Sequence, residues 1–295
     1  MSTEVKDYRH IRFDRSKRSS IEFDMVPLRY ILDSFGMDHD PLQLHRVNFY
    51  VMLVIESGEG VHTIDFADYP YSKGSVITIR KNQIQKFHQS DAEGSIFIFT
   101  EAFLLSHLEY ESARVIPTVF NELLFDQVSH FNSDEFIDFQ SLVRNISGEF
   151  SREIDFQSSG ILRNYLQIFV AQIYRHRLAH SVRNFNDKHM SQFLQFQELV
   201  EESEGERKKV SYFAEQLNIT PRTLNTITHE IIGKSSKQFV DESLMMKIKR
   251  MLLNTSLSVK EVAYQSGFDE PSNMYKFFKK HVGNTPEEFR GIHSV

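Results

Sequence analysis

One segment of the carboxy-terminal hundred residues is written twice, and no other feature limits the fold of this chain so closely. VSYFAEQLNIT, starting at Val210, aligns with VKEVAYQSGFD, starting at Val259, at an offset of 49 that pairs Ala214 with Ala263 and Ile219 with Phe268. One inserted residue then shifts the offset to 50, pairing Leu224 with Met274, Ile227 with Phe277, Gly233 with Gly283 and Phe239 with Phe289. Each copy reads as a short helix with a small residue at Ala214 or Ala263, a tight turn at Asn218 or Gly267, and a second helix. The small side chain lets two helices approach, and Asn or Gly tolerates the left-handed backbone that such a turn needs. The repeat therefore predicts two helix-turn-helix units, at about residues 210–231 and 259–281. In such units the second helix enters the major groove of DNA.

Helix starts around the repeat are well marked. Ser235 with Gln238, Ser258 with Glu261, and Thr285 with Glu288 have the spacing of capping boxes, and Thr220-Pro221 supplies a capping hydroxyl with proline at the first helical position. Capping is expected in any helical protein and carries no function alone. A helix from Ser236 to Leu253 would join the units, and its 18 residues at ~1.5 Å each span about 27 Å. One turn of DNA is ~34 Å, so the two second helices could reach successive major grooves.

Charge at first argues against a nucleic-acid partner, since the whole chain carries a formal net charge of −6. Its distribution reverses that argument. Residues 207–295 hold 14 Lys and Arg against 9 Asp and Glu, a net of +5, behind an acidic strip of Glu198, Glu201, Glu202, Glu204 and Glu206. Clustered bases are what phosphate binding requires.

AxxxGF at Ala263–Phe268, followed by FFKKxxGxTPxxFR at Phe277–Arg290 with a degenerate copy upstream, resembles the signature of the AraC/XylS transcription regulators. The resemblance covers about Phe193 to His293. It implies a DNA-binding regulator, usually an activator, that grips double-stranded DNA with both units and works with RNA polymerase. Carried over position by position, it implies groove-facing roles for Arg222, Asn225, Thr226 and His229 in the first unit. In the second it implies Pro271, Ser272, Asn273 and Lys276, with Lys279 and Lys280 as phosphate contacts. Arg suits guanine and Asn suits adenine, a good bidentate contact discriminating by ~1–3 kcal/mol. Any one of these residues alone would more often be a solvated helix face, so it is the repeat that singles out the set. Leu224, Ile227, Phe268, Phe277, Phe278 and Phe289 read as core whatever the function.

The amino-terminal half reads differently. From about residue 44 to 103, short runs such as FYVMLVIESGEG and SVITIRKNQ alternate with turn signals, which predicts an antiparallel β-barrel or sandwich. After Pro117 the apolar spacing turns helical, through VFNELLFDQV, FIDFQSLVRNISGEF and GILRNYLQIFVAQIYRHRL, so helices at about 118–179 flank the strands. The expected division is a domain at 1–182, a linker at 183–192 and a DNA-binding domain at 193–293.

The β region resembles the cupin-like ligand-binding domain that often precedes such a DNA-binding module, and the resemblance implies a small-molecule effector. A metal-binding cupin needs several fixed His and Glu ligands. Here the second cupin motif, laid over Gly74–Gln85, puts Gln85 at the histidine, and the first motif offers His62 alone. No metal and no cofactor are expected, and His45, His62 and His88 read as ordinary strand or turn residues. Leu162, Leu166, Phe169 and Ile173 lie at helical intervals and are candidates either for a homodimer interface or for packing on the chain's own strands. Two competing functions remain open: an effector-independent regulator with a purely dimerising barrel, and a cupin enzyme, which the missing ligands disfavour. No apolar run approaches the ~18 residues that span a bilayer, the first residues are polar and cysteine is absent, so a cytoplasmic location is expected.

Overall fold

The computed structural model describes residues 10–11, 21–33, 40–106, 115–180, 187–203, 207–255 and 257–293. Two separate units divide the chain between Val182 and Arg183. Ten strands are described in the amino-terminal unit: β1 (His10–Ile11), β2 (Phe23–Pro27), β3 (His45–Val47), β4 (Tyr50–Ser57), β5 (Glu59–Ile64), β6 (Ala67–Ser72), β7 (Ser75–Ile79), β8 (Ile84–Phe87), β9 (Glu93–Phe99) and β10 (Val128–His130). Its helices are α1 (Leu28–Asp33), α2 (Glu101–Leu105), α3 (Val115–Val119), α4 (Ser133–Phe150) and α5 (Ser158–His180).

Strands β4 and β7 show why this unit is layered. Both are buried on both faces, Tyr50 to Ile55 in one and Ser75 to Ile79 in the other. Side chains alternate across a strand, and in β4 Tyr50, Met52 and Val54 enter one core while Val51, Leu53 and Ile55 enter another. The first core is shared with Phe136, Phe139, Leu162, Leu166 and Phe169 of α4 and α5, and the second with Val47, Ile64, Tyr71 and Phe87 of the other sheet. The order is therefore sheet, sheet, helices. One sheet runs β1-β3-β8-β5-β6 and the other β10-β7-β4-β9-β2. Pairing is antiparallel except between β1 and β3, which run parallel.

Two sequence expectations change here. The stretch VFNELLFDQV is not a helix beyond Val119: Asn121 turns the chain by accepting the N–H of Leu123 at 2.9 Å, and Val128–His130 then pair with Ser75–Ile77 at the sheet edge. The β region also starts before residue 44, because β2 pairs with β9 from Phe23↔Phe99 to Pro27↔Ser95. A buried cation holds the end of α5 to the strands. Arg177 donates to Ser129 Oγ at 2.8 Å, to Thr78 Oγ1 at 3.0 Å and to the carbonyl of Val119, which is the hydrogen bonding a desolvated charge requires.

The carboxy-terminal unit is helical: α6 (Asp187–Glu202), α7 (Val210–Gln216), α8 (Pro221–Ile232), α9 (Ser236–Asn254), α10 (Val259–Gln265), α11 (Pro271–Val282) and α12 (Pro286–His293). Of the expected linker, residues 183–186 lie outside the described residues, and the chain is already helical from Asp187. The repeat appears as two equivalent helix pairs, α7–α8 and α10–α11. Asn218 and Gly267 take positive φ, 53° and 77°, in the two turns, and Gly233 and Gly283 end α8 and α11 in the same left-handed conformation. The predicted capping boxes of Ser235 and Ser258 are both formed. Thr285 Oγ1 likewise accepts from the Glu288 N–H at 3.2 Å. Hydrogen bonds from Ser258 and Thr285 hold the carboxyls of Glu261 and Glu288 below the usual range.

Candidate nucleic-acid interface

Both second helices are amphipathic for the same reason. In α8, Leu224, Ile227, Thr228 and Ile231 are buried, which leaves Arg222, Asn225, Thr226 and His229 exposed along the opposite side. In α11, Met274 and Phe278 are buried and Ser272, Asn273, Lys276, Lys279 and Lys280 are exposed. Spacings of three and four residues place each set in one stripe. Nine of the ten expected contact residues, all but Pro271, thus form two stripes on equivalent helices.

Their chemistry is more constrained than the sequence indicated. Asn225 Oδ1 accepts the backbone N–H of Ser236 at 3.1 Å, and Thr228 Oγ1 lies 3.0 Å from Ser236 Oγ, so α8 is tied to the first turn of α9. Thr226 Oγ1 donates to the Arg222 carbonyl at 3.1 Å. Its donor is thereby engaged, which leaves this exposed residue a methyl group and acceptor lone pairs, a combination suited to a thymine methyl. Pro271 is half-buried at the first position of α11 and adds no polar group. Asp269 and Glu270 stand exposed just before it, so that end of α11 repels phosphate while Lys279 and Lys280 attract it from the last turn.

Three supporting contacts were not anticipated. Tyr275 Oη donates to Glu287 Oε1, tying α11 to α12 as Asn225 ties α8 to α9. The offset of 50 that pairs the two copies puts Tyr275 opposite Asn225, so the repeat itself held that signal. His189 Nδ1 lies 2.8 Å from Glu230 Oε2 and anchors α6 on α8. Arg290 donates to the carbonyls of Leu252 and Leu257 at 2.8 and 2.7 Å, binding α12 to the end of α9 where carbonyls lack helical partners. Of the residues expected as core, Phe277 is only half-buried and the other five are buried.

The candidate dimer residues need correction. Leu162, Leu166, Phe169 and Ile173 are fully buried in the core shared with β4 and α4, so in the folded chain they have no surface to offer a second copy. The exposed apolar side chains of α5 are instead Ile161, Ile168 and Leu178.

In the strand region, His62 is completely buried and its Nε2 lies 3.0 Å from Gln85 Oε1. Burial is the main reason its pKa falls to about 3, so the ring is neutral. His45 is also buried, on β3, and His88 contacts Thr63 Oγ1 at 2.7 Å. The strands thus bring together His62 and Gln85, the two residues on which the cupin motifs were laid in the sequence.

Residues 213–292 match the family described as a Helix-turn-helix domain. The chain is 21% identical over 279 residues to the HTH-type transcriptional activator RhaS of Enterobacter sp. (strain 638), covering 88% of this chain and 95% of that protein. RhaS of Salmonella schwarzengrund (strain CVM19633) is 23% identical over 261 residues, covering 83% and 86%. Among solved structures, ToxT of Vibrio cholerae strain SCE256 with bound unsaturated fatty acid aligns over 92% of this chain and 91% of its own at 16% identity, with a TM-score of 0.43. The carboxy-terminal domain of the response regulator yesN of Fusobacterium nucleatum is 28% identical and covers 34% of this chain and 97% of its own, with a TM-score of 0.32. The chain is thus a helix-turn-helix DNA-binding transcription regulator. In its carboxy-terminal part it is similar to the AraC/XylS regulators.

Proposed function

We propose that the protein is a sequence-specific regulator that holds double-stranded DNA with two helix-turn-helix units, α7–α8 and α10–α11, laying α8 and α11 in successive major grooves. The observation that carries this reading is the pair of equivalent exposed stripes on helices whose other faces are buried. Arg222, Asn225 and Thr226 read base edges, with His229 beside them. Ser272, Asn273 and Lys276 form the weaker reading face of the second unit. Lys279 and Lys280 hold phosphate, which orients the protein without selecting sequence. The helix α9, 19 residues long, spans ~28 Å and sets the units about one DNA turn apart.

The expected action is activation through RNA polymerase in the cytoplasm, supported by the activators to which the chain is similar. In this reading the chain is no enzyme, which the transcription regulators to which it is similar support. The amino-terminal domain, 1–182, is assigned effector response and homodimerisation, its two sheets closing as a cupin-like barrel. The DNA-binding domain takes up the chain from α6, which begins at Asp187. A second reading, an effector-independent regulator whose β domain only dimerises, is favoured by the apolar side chains of Leu53, Ile64, Ile77 and Phe87 packed together between the sheets. Binding to the DNA upstream of its own gene, titrated against salt and compared with unrelated DNA, tests the regulator reading. Tight, sequence-selective binding that weakens as salt rises supports it, and equal affinity for both duplexes overturns it.

A further inference from the structure

The guanidinium carbon of Arg207 lies 4.5 Å from the ring centroid of Phe268 and 5.5 Å from that of Phe277. The two rings are 5.7 Å apart and together form a platform for the cation. This platform belongs to one copy of the repeat alone, because Ile219 and Ile227 occupy the matching positions of the other. Arg207 itself stands just before Val210, at the entrance of the first helix pair. A side chain just ahead of the first pair thus rests on aromatic residues found only in the second.

Covalently, the pairs are joined by α9. Its start is fastened to α8 through Asn225 and its end to α12 through Arg290. A single helical rod sets the distance between two bodies more firmly than the angle between them, since small adjustments at either end turn one against the other. A third contact away from the rod resists that rotation, and Arg207 supplies one. A planar guanidinium over aromatic faces suits the task, being both cationic and able to stack.

We propose that Arg207 is a positioning residue that sets the angle between the two helix pairs, and so the half-site spacing the protein accepts, without contacting DNA. This rests on the two-unit reading above. The chain has no cysteine, so a nitroxide pair can be placed cleanly at Gln216→Cys and Gln265→Cys, exposed positions that correspond in the repeat. In the full-length protein the distance distribution between the labels is narrow. Arg207→Ala broadens it, Phe277→Leu broadens it as much, and the double variant goes no further. Circular dichroism confirms that each variant is folded.

On duplexes whose half-sites are moved by one base pair, Arg207→Ala reduces the preference for the original spacing by about 2- to 5-fold, the scale of an exposed cation–π contact. Arg207→Lys falls between. An unchanged distance distribution in Arg207→Ala overturns the proposal. So does a uniform loss of DNA affinity in Arg207→Ala that Phe277→Leu does not share, since Arg207 would then be a phosphate contact. A parent protein indifferent to spacing overturns the two-unit reading instead, and the label distances still decide the role of Arg207.

Discussion

Asn225 on α8 and Ser236 on α9 are joined by a hydrogen bond from the Ser236 backbone N–H to the Asn225 side-chain oxygen, 3.1 Å long. The first N–H groups of a helix have no partner within it, so a residue proposed to read adenine also completes the start of the joining helix. Tyr275 and Glu287 repeat the connection in the second copy with different chemistry. In the proposed interface, reading and bracing are therefore shared by one side chain in the first unit.

Asn225→Ala should lower both DNA affinity and thermal stability, the latter by about 1 kcal/mol, the usual size of one lost hydrogen bond. Asn225→Asp keeps the acceptor and loses the amide donor that adenine recognition needs. It should melt close to the parent protein yet bind DNA poorly, because it also brings a negative charge to phosphate. Melting curves together with selection from a randomised duplex pool check both variants. Equal melting of parent and Asn225→Ala would remove the bracing role.

Arg222→Ala should relax sequence preference at one position, costing ~1–3 kcal/mol against the preferred base and little against others. Lys279→Ala should weaken binding to all duplexes alike and reduce the salt slope by about 1. Salt-titrated binding to matched and mismatched duplexes separates the two. If both variants behave the same way, the division between reading and grip is wrong.

His62 makes the amino-terminal unit sensitive to acid. Its pKa is about 3 in the folded chain, lowered mainly by burial, against about 6.5 when unfolded. Between these values the unfolded state binds the extra proton, so stability falls as pH drops through this window, by up to about 1.4 kcal/mol per pH unit. His176 is shifted in the same direction, also mainly by burial, and adds to the slope. Urea unfolding from pH 7 to 4 should show His62→Gln with a slope shallower by about one proton's share. An identical slope in both proteins would refute this assignment.

Helix α5 offers a clean comparison of two neighbouring faces. Leu166→Ala removes a fully buried side chain and should cost about 2–5 kcal/mol of stability. Ile168→Glu changes a side chain that is 47% exposed and should leave the melting temperature nearly unchanged while weakening the proposed homodimer. Sedimentation and thermal unfolding read the two effects separately. A dimer unaffected by Ile168→Glu excludes this face as its contact.

Local chemistry explains how much could be read without coordinates. The two helix pairs, their left-handed turns at Asn218 and Gly267, the caps at Ser235, Ser258 and Thr285, and the exposed stripes on α8 and α11 all follow from residues within one or two helical turns of each other. Spacing and rotamer preference act at that range, so the amino-acid sequence alone determined these features and the candidate contact set with them. What depended on distant residues was not legible. Phe23 meets Phe99, Val128 joins β7, and α5 buries Leu162 and Ile173 that spacing alone left open to either face. The same holds for Asn225 bracing Ser236 and for Arg207 resting on Phe268. An amphipathic pattern states that a face will be buried, while the partner that buries it, or that claims a polar atom on the exposed side, is chosen only when remote segments pack.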